Sequence, residues 1–257
     1  MGSNFAYQLR AKHADQVASA DHLASDDAIA AHVMRLLDRI DCRLAETDEE
    51  RDAIFRLRYQ AYLRSEGISP NPSEKFSDPF DDLGDVYLFG LYDDDALASS
   101  VRIHVASKEH PLFPTGEVFP EILRPKLDAG KVMIDTTRFV ADANLARLNR
   151  VLPYATLRLC GLAARHFHAE YLLAAVRVEH QAFYRRAFGH ELVCGPRSYP
   201  MLNKPVCLMM AQIDQVYQRY QFLRSTFAER RLLFTRSRVV ERADTASLVP
   251  TSAAPTA

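Results

Sequence analysis

Apolar and polar positions along the chain change period in an ordered way. Residues 1–24 carry no sustained period and are expected to be loosely ordered, as is the Ala, Ser, Thr and Pro-rich tail, residues 239–257. Residues 25–40, SDDAIAAHVMRLLDRI, differ: Ser25 or Asp26 can cap an amphipathic helix with an apolar stripe of Ile29, Val33, Leu36, Leu37 and Ile40. That stripe suits packing on the core or on another copy. CRLAET then alternates like a strand, and DEERDAIFRLRYQAYLRSEG has helical spacing at Ile54, Leu57, Ala61 and Tyr62, with Gly67 as its stop. GDVYLFGLY and ALASSVRIHV flank an acidic tip at Asp93 to Asp95 and predict a hairpin. KVMIDTTRFVA is the next strand. LPYATLRLCGLAARHFHA reads as a helix, EYLLAAVRV as a buried strand, and EHQAFYRRAFG as a short helix ended by Gly189. HELVCG and KPVCLMMAQI supply two more strands, and DQVYQRYQFLRSTFAERRLLF reads as one long basic helix. The expected fold is α/β (α+β), a mixed, mostly antiparallel sheet with helices on both faces, formed by residues 41–238.

Composition narrows the partners. Lys+Arg of 32 against Asp+Glu of 33 gives a net charge of −1, which removes a bulk electrostatic case for nucleic acid. No run reaches the ~18 apolar residues of a membrane span, and the start lacks the apolar stretch of a secretion signal, so a cytoplasmic protein is expected. Cys42, Cys160, Cys194 and Cys207 are widely spaced without a CxxC, a pattern of buried reduced thiols rather than zinc ligands.

Charged residues inside strands raise the question of chemistry. Asp135 and Arg138 are three apart, so on a regular strand they face opposite sides of the sheet; a bulge would bring both to one side. Arg102 shares a face with His104, and if the first core helix covers that face, Arg102 lies beside Arg58 and needs carboxylates. Asp78 and Asp81 are the nearest suppliers. An Arg58, Arg102, Asp78, Asp81 network that shapes a pocket and contacts a polar substrate is one reading; solvent-facing charges, or a plain salt bridge between loop and sheet, are the others. Turn chemistry alone explains most of the loop SPNPSEKFSDPFDD, and nothing fixes a metal cage around Asp78, Asp81, Asp82 and Asp85.

Seven ordered motifs carry a family resemblance: FRLRYQAY (55–62), NPSEKFSDPFDD (71–82), SVRIHV (100–105), DTTRFVAD (135–142), PYATLR (153–158), HQAFYRRAFGH (180–190) and KPVCLM (204–209). Over about residues 50–238 the chain resembles the N-acyl amino acid synthases of the FeeM type, relatives of the LuxI-type acyl-homoserine-lactone synthases in the GNAT superfamily. The resemblance implies a GNAT-like sheet splayed at the fourth strand. It implies transfer of a long-chain acyl group from the phosphopantetheine thioester of acyl carrier protein to the α-amine of an amino acid, tyrosine being one acceptor in the group. No tightly bound cofactor or metal is implied. Asp135, Arg138 and Tyr184 are the implied catalytic residues, Asp135 as base for the amine and Tyr184 as donor to the departing thiolate. Arg58, Tyr62, Asp78, Asp81, Arg102 and Thr137 are implied to bind substrate.

Two departures qualify the match. The superfamily pattern places glycine four residues after that tyrosine, where Phe188 stands here with Gly189 next. Acetyl-CoA enzymes place a glycine-rich pyrophosphate turn after the fourth strand, whereas VADANLARLNRVLPYATLR has none, which favours a carrier protein over acyl-CoA. Arg147 and Arg150 could meet that carrier's acidic surface, and His180 could cap its helix or touch the carrier arm. TLRLCGLAARHF and YLLAAV, with Ala163, Ala164, Ala174 and Ala175, offer an acyl cleft or plain core. The basic C-terminal helix reads as a carrier-protein dock, a peripheral membrane contact or a solvated face. Ile68 stands where many lactone synthases place tryptophan. A lactone-synthase-like or other small-amine acyltransferase and a non-catalytic acyl-carrier or lipid-binding module are the alternatives.

Overall fold

The computed structural model describes residues 27–235. The expectations for residues 1–24 and 239–257, and for capping by Ser25 or Asp26, lie outside the described residues. Residues 27–37 form α1, whose Val33 and Leu36 are buried in the main core; Ile40, assigned above to the same stripe, opens β1 (Ile40–Leu44) instead. Helix α2 (Asp48–Arg64) starts on a reciprocal cap between Thr47 and Glu50, with Asp48 and Glu49 in its first turn. It ends at Ser65, before Gly67. Its buried face is Ile54, Leu57, Arg58 and Tyr59, so the stripe runs through an arginine, while Ala61 and Tyr62 are half-buried.

Strands β2 (Val86–Asp93) and β3 (Ala96–Ala106) form the expected hairpin. Asp94 and Asp95 at its tip have φ of 48° and 65°, the left-handed pair of a turn matched to strand twist. The seven strands run β1-β2-β3-β4-β5-β7-β6, where β4 is Met133–Ala141, β5 Tyr171–Val176, β6 Glu191–Arg197 and β7 Val206–Gln212. Every neighbouring pair is antiparallel except β4 with β5. Those two pair only from Met133 to Thr136, against Tyr171 to Ala174, and then diverge.

One sheet face carries Val101, Ile103, Ile134, Leu172 and Met209 under α1 and α6 (Leu152–His166). The other is covered by α2 and by a pair of short helices, α3 (Pro114–Val118) and α4 (Pro120–Asp128), whose Phe113, Phe119 and Leu123 pack on Met133, Leu173 and Leu208. That pair has no counterpart in the periodicity of residues 107–132, where four prolines interrupt every apolar spacing.

The single long C-terminal helix is also corrected. The segment breaks into α8 (Ile213–Arg219), a tight turn at Gln221–Leu223, and α9 (Phe227–Phe234). Buried Arg158 of α6 donates to the carbonyls of Phe222 at 2.7 Å and Arg224 at 3.0 Å, and pairs with Glu229 at 2.8 Å. A continuous helix would consume those carbonyls internally, and Thr226 recaps the chain as α9. A short α5 (Ala143–Leu148) precedes α6, and α7 (Gln181–Phe188) ends on Gly189 at φ 64°, as its sequence required.

Candidate active site

The site begins with a bulge in β4. Ser100 lies opposite Val140 and Arg102 opposite Thr137, so Arg138 and Phe139 together face Val101. Arg138 takes φ 53°, a left-handed conformation that costs a non-glycine residue about 1–2 kcal/mol. The bulge turns its guanidinium onto the face that holds Arg102, His104, Asp135 and Thr137.

Beneath that face three guanidiniums meet two carboxylates. Arg102 donates to both Asp78 oxygens at 2.5 and 3.2 Å and pairs with Asp81 at 3.0 Å. Arg138 donates to Asp78 from Nη2 at 2.7 Å and Nε at 3.2 Å, and Arg58 donates to Asp81 at 2.8 Å. All five are buried. The expected network therefore exists, with Arg138 as a fifth member and with Thr137 accepting from Arg102 Nε at 3.0 Å. Asp78 and Asp81 cap the turn Pro79–Asp82 reciprocally, which fixes the loop's backbone against the sheet. Burial pushes both carboxyls up, but the arginines outweigh it and hold them below the usual carboxylate range. Burial lowers Arg58 to about 10, and its Nε and Nη2 have no hydrogen-bond partner among the described residues. Arg138 sits over Phe76 at 4.4 Å, Tyr62 at 5.6 Å and Tyr199 at 5.7 Å, an aromatic surround that suits a partly desolvated guanidinium.

Asp135 is fully buried, and α3 supplies its partners: Thr115 Oγ1 donates to one oxygen at 2.6 Å and Thr115 N to the other at 3.1 Å. Burial raises its pKa to about 6, against the lowering effect of the Thr115 bonds and of Arg102. His104, opposite Asp135 on β3, is buried with neither ring nitrogen bonded among the described residues; burial and then Arg102 hold its pKa well below the ordinary value, which keeps it neutral.

Where β4 and β5 part, a cavity of about 390 Å³ opens. Thr136 to Ala141 form one wall, Ala175 to Arg177 the other, with Tyr62, Phe183, Tyr184, Leu202 and Val206 closing it. Of the residues singled out in the sequence, Tyr62, Thr137, Arg138, His180 and Tyr184 line this space. Arg58, Arg102, Asp78, Asp81 and Asp135 do not; they form the buried layer below it. Tyr184 is buried, which pushes its phenol up and keeps it protonated. His180 stands just before the first residue of α7, and its side chain makes no capping hydrogen bond; its ring contacts Arg177 at 2.9 Å, and burial followed by Arg177 lowers its pKa.

Of the α6 run expected to line an acyl cleft, Thr156 to Ala164 are buried in the core and none lines the cavity; Pro153, ahead of that run, does, and so does Ala175, whereas Ala163, Ala164 and Ala174 are packed. Arg147 and Arg150 are exposed on and just after α5, beside the exposed Leu148. On the C-terminal segment Arg224 and Arg231 are exposed, Arg219 lies over Tyr220, and Arg230 donates to Ser225; Arg236 and Arg238 lie outside the described residues. Sequence reasoning missed Thr115, which no motif marks, and also Tyr199, Arg177 and Lys204. The last two are cavity-lining cations, and Lys204 was quoted only as part of a motif.

At the start of α5, where a phosphate cradle would need free amides, the Asp142 carboxylate already accepts from Asn144 N at 2.9 Å and Leu145 N at 3.0 Å.

A family model described as "N-acyl amino acid synthase FeeM" matches residues 53–212. The structure of FeeM, an N-acyl amino acid synthase from uncultured soil microbes, is similar with a TM-score of 0.60 at 18% identity, covering 72% of this chain and 97% of that one. The acyl-homoserine-lactone synthase LasI gives 0.53 at 17%, covering 71% and 94%. BjaI, a CoA-dependent acyl-homoserine lactone synthase solved with SAM and isopentyl-CoA, gives 0.50 at 15%, covering 71% and 89%. These likenesses show an acyltransferase fold. No curated protein matches.

Proposed function

Because this chain belongs to the FeeM family of N-acyl amino acid synthases and is thereby an N-acyltransferase, we propose that it moves a long-chain acyl group from acyl carrier protein to the α-amine of an amino acid, tyrosine among the candidates. One observation carries the reading: the cavity at the β4–β5 parting is apolar on Phe139, Val140, Val176, Phe183 and Val206, yet bordered by Arg138, Arg177 and Lys204. An acyl thioester and a zwitterionic acceptor need that combination.

The chemistry follows from the walls. The acceptor nitrogen attacks the thioester carbonyl, the C–N bond forms, and the C–S bond breaks. The edge of β4 beyond Thr136 has no strand partner toward β5, so its main chain faces the carbonyl that must be polarised. The departing thiolate takes the Tyr184 proton, and the second proton that the attacking nitrogen sheds as it becomes an amide restores the Tyr184 phenol, whose burial favours the protonated form. The ammonium proton of the acceptor goes to Asp135, which lies one residue beneath the floor made by Thr136 and Thr137 and is mostly ionised at neutral pH. That transfer runs through a water or after the Thr115 hydroxyl swings off its oxygen, since both oxygens are held in the resting site. Arg138, clamped by Asp78 and by its aromatic neighbours, fixes the bulge that shapes the wall. The Asp142 cap supports a carrier-protein donor over acyl-CoA, and exposed Arg147, Leu148 and Arg150, between the lining residues Ala141 and Pro153, are the proposed contact with the carrier.

Purified protein given palmitoyl acyl carrier protein, or palmitoyl-CoA, with each of the twenty amino acids is the test. An N-acyl amino acid in the mass spectrum, formed faster from the carrier protein, is the expected result. Absence of any amide product, or an acyl lactone instead, overturns the reading.

A further inference from the structure

Five cationic or potentially cationic side chains line the cavity, Arg64, Arg138, Arg177, His180 and Lys204, and among the described residues lining it there is no aspartate or glutamate. Their availability differs. Arg138 is committed to buried Asp78 through Nη2 at 2.7 Å and Nε at 3.2 Å. Arg177 and Lys204 are otherwise placed. Lys204 Nζ donates to the Ser65 carbonyl at 2.8 Å, and Arg177 Nη1 reaches the same oxygen at 3.4 Å. Their carboxylate partners are peripheral: Glu66, 87% exposed, lies 3.4 Å from Lys204, and Glu179, 57% exposed, lies 3.2 Å from Arg177. Exposed pairs of that kind contribute little and yield readily to a better-held anion.

Two cations from different elements, the end of β5 and the loop before β7, thus converge on one neutral oxygen at the end of α2, on the wall of the cavity. We infer that Arg177 and Lys204 form an oxyanion site at the rim, taking the acceptor's carboxylate or the phosphate of the donor's phosphopantetheine arm. A full negative charge there replaces a long contact to a carbonyl with charge-assisted bonds from a guanidinium fork and an ammonium. The Arg58 and Arg102 guanidiniums, assigned to substrate binding from sequence, are saturated or shielded beneath the floor and leave this task to the rim. This inference rests on the acyltransferase reading above and names the residues that hold its charged substrate.

Lys204→Met and Arg177→Gln test it, each keeping most of the side-chain volume. Steady-state rates are measured with three amino acids and their decarboxylated amines, tyrosine with tyramine, phenylalanine with phenethylamine and leucine with isoamylamine. Donors are acyl carrier protein and a phosphate-free acyl N-acetylcysteamine thioester. A lost charge-assisted contact is expected to lower kcat/KM by about tenfold or more. If the loss appears with the amino acids and vanishes with the amines, the site holds carboxylate. If it follows the carrier-protein donor and vanishes with the phosphate-free thioester, the site holds phosphate. Lys204→Arg restores activity in either case. Equal losses on every substrate pair, or no loss in variants that melt like the parent protein, overturn the inference. If the unsubstituted protein acylates none of the twenty amino acids from either donor, the acyltransferase reading fails and this inference is overturned with it.

Discussion

Asp78 is the residue whose removal the architecture is least able to absorb. Its carboxylate accepts from Arg102 Nη1 and Nη2 and from Arg138 Nη2 and Nε, and both guanidiniums are buried. Asp78→Asn keeps the shape and removes the charge, leaving Asp81 as the one carboxylate directly bonded within the cluster of Arg58, Arg102 and Arg138. Breaking a buried ion pair from one side costs about 3–5 kcal/mol, a large share of the 5–15 kcal/mol that holds an ordinary domain. With a urea m-value of about 3 kcal/mol/M, the midpoint falls by about 1–1.7 M. Asp82→Asn is the control, because Asp82 pairs with Arg51 while 79% exposed, and such pairs contribute about 0–1 kcal/mol. The pH dependence has a definite sign. Asp78 titrates lower in the fold than in the unfolded chain, so its contribution is complete above the unfolded value of about 3.9 and is lost as pH falls below it. The gap between parent and Asp78→Asn should hold from pH 7 to 5 and shrink below pH 4. Urea titrations followed by circular dichroism at those pH values decide the matter; equal small effects for Asp78→Asn and Asp82→Asn would refute the reasoning.

Three other substitutions probe the site. Thr115→Val removes the hydroxyl bond that lowers Asp135, so the acidic limb of the kcat/KM profile, expected near pH 6, should move upward; an unmoved limb separates Asp135 from the titration. Asp135→Asn should lower acyl transfer by about 10²-fold or more, and its thermal stability should improve relative to the parent as pH rises from 4 to 7. The sign follows because the raised Asp135 favours the fold most when protonated and loses that contribution as pH passes about 6. Tyr184→Phe should reduce kcat while leaving the donor's KM and the melting temperature within error, and a thiol leaving group of lower pKa should recover part of the rate.

The order of strands, the hairpin and the stop at Gly189 were legible because each depends on neighbours in sequence: an alternating run, two aspartates able to turn left-handed, a glycine after a short apolar helix. The bulge was legible as a need, since Asp135 and Arg138 could share a face in no other way, and the paired arginines and aspartates were legible as an electrostatic demand. What escaped depends on distant partners. The split of the C-terminal segment is decided by Arg158, more than sixty residues earlier, competing for its carbonyls. Helix α3 lies in a proline-rich stretch with no period, so Thr115 could not be matched to Asp135, twenty positions on. Which charged residues reach the cavity and which stay beneath it is set by the depth of each side chain below the β4 wall, and a linear pattern carries no depth. That is why Arg58 and Arg102 were read as contacts and Arg177 was passed over.

The central claim places the fatty thioester in the space between the diverging ends of β4 and β5. A palmitoyl analogue with a diazirine along its chain, loaded on acyl carrier protein and photolysed with the protein, locates it directly by peptide mass spectrometry. Labels on Val140, Phe183, Tyr184 or Val206 are the expected outcome. Labels confined to the polar hollow at the opposite end of β5, beside Arg165, His168 and Asp214, would contradict it.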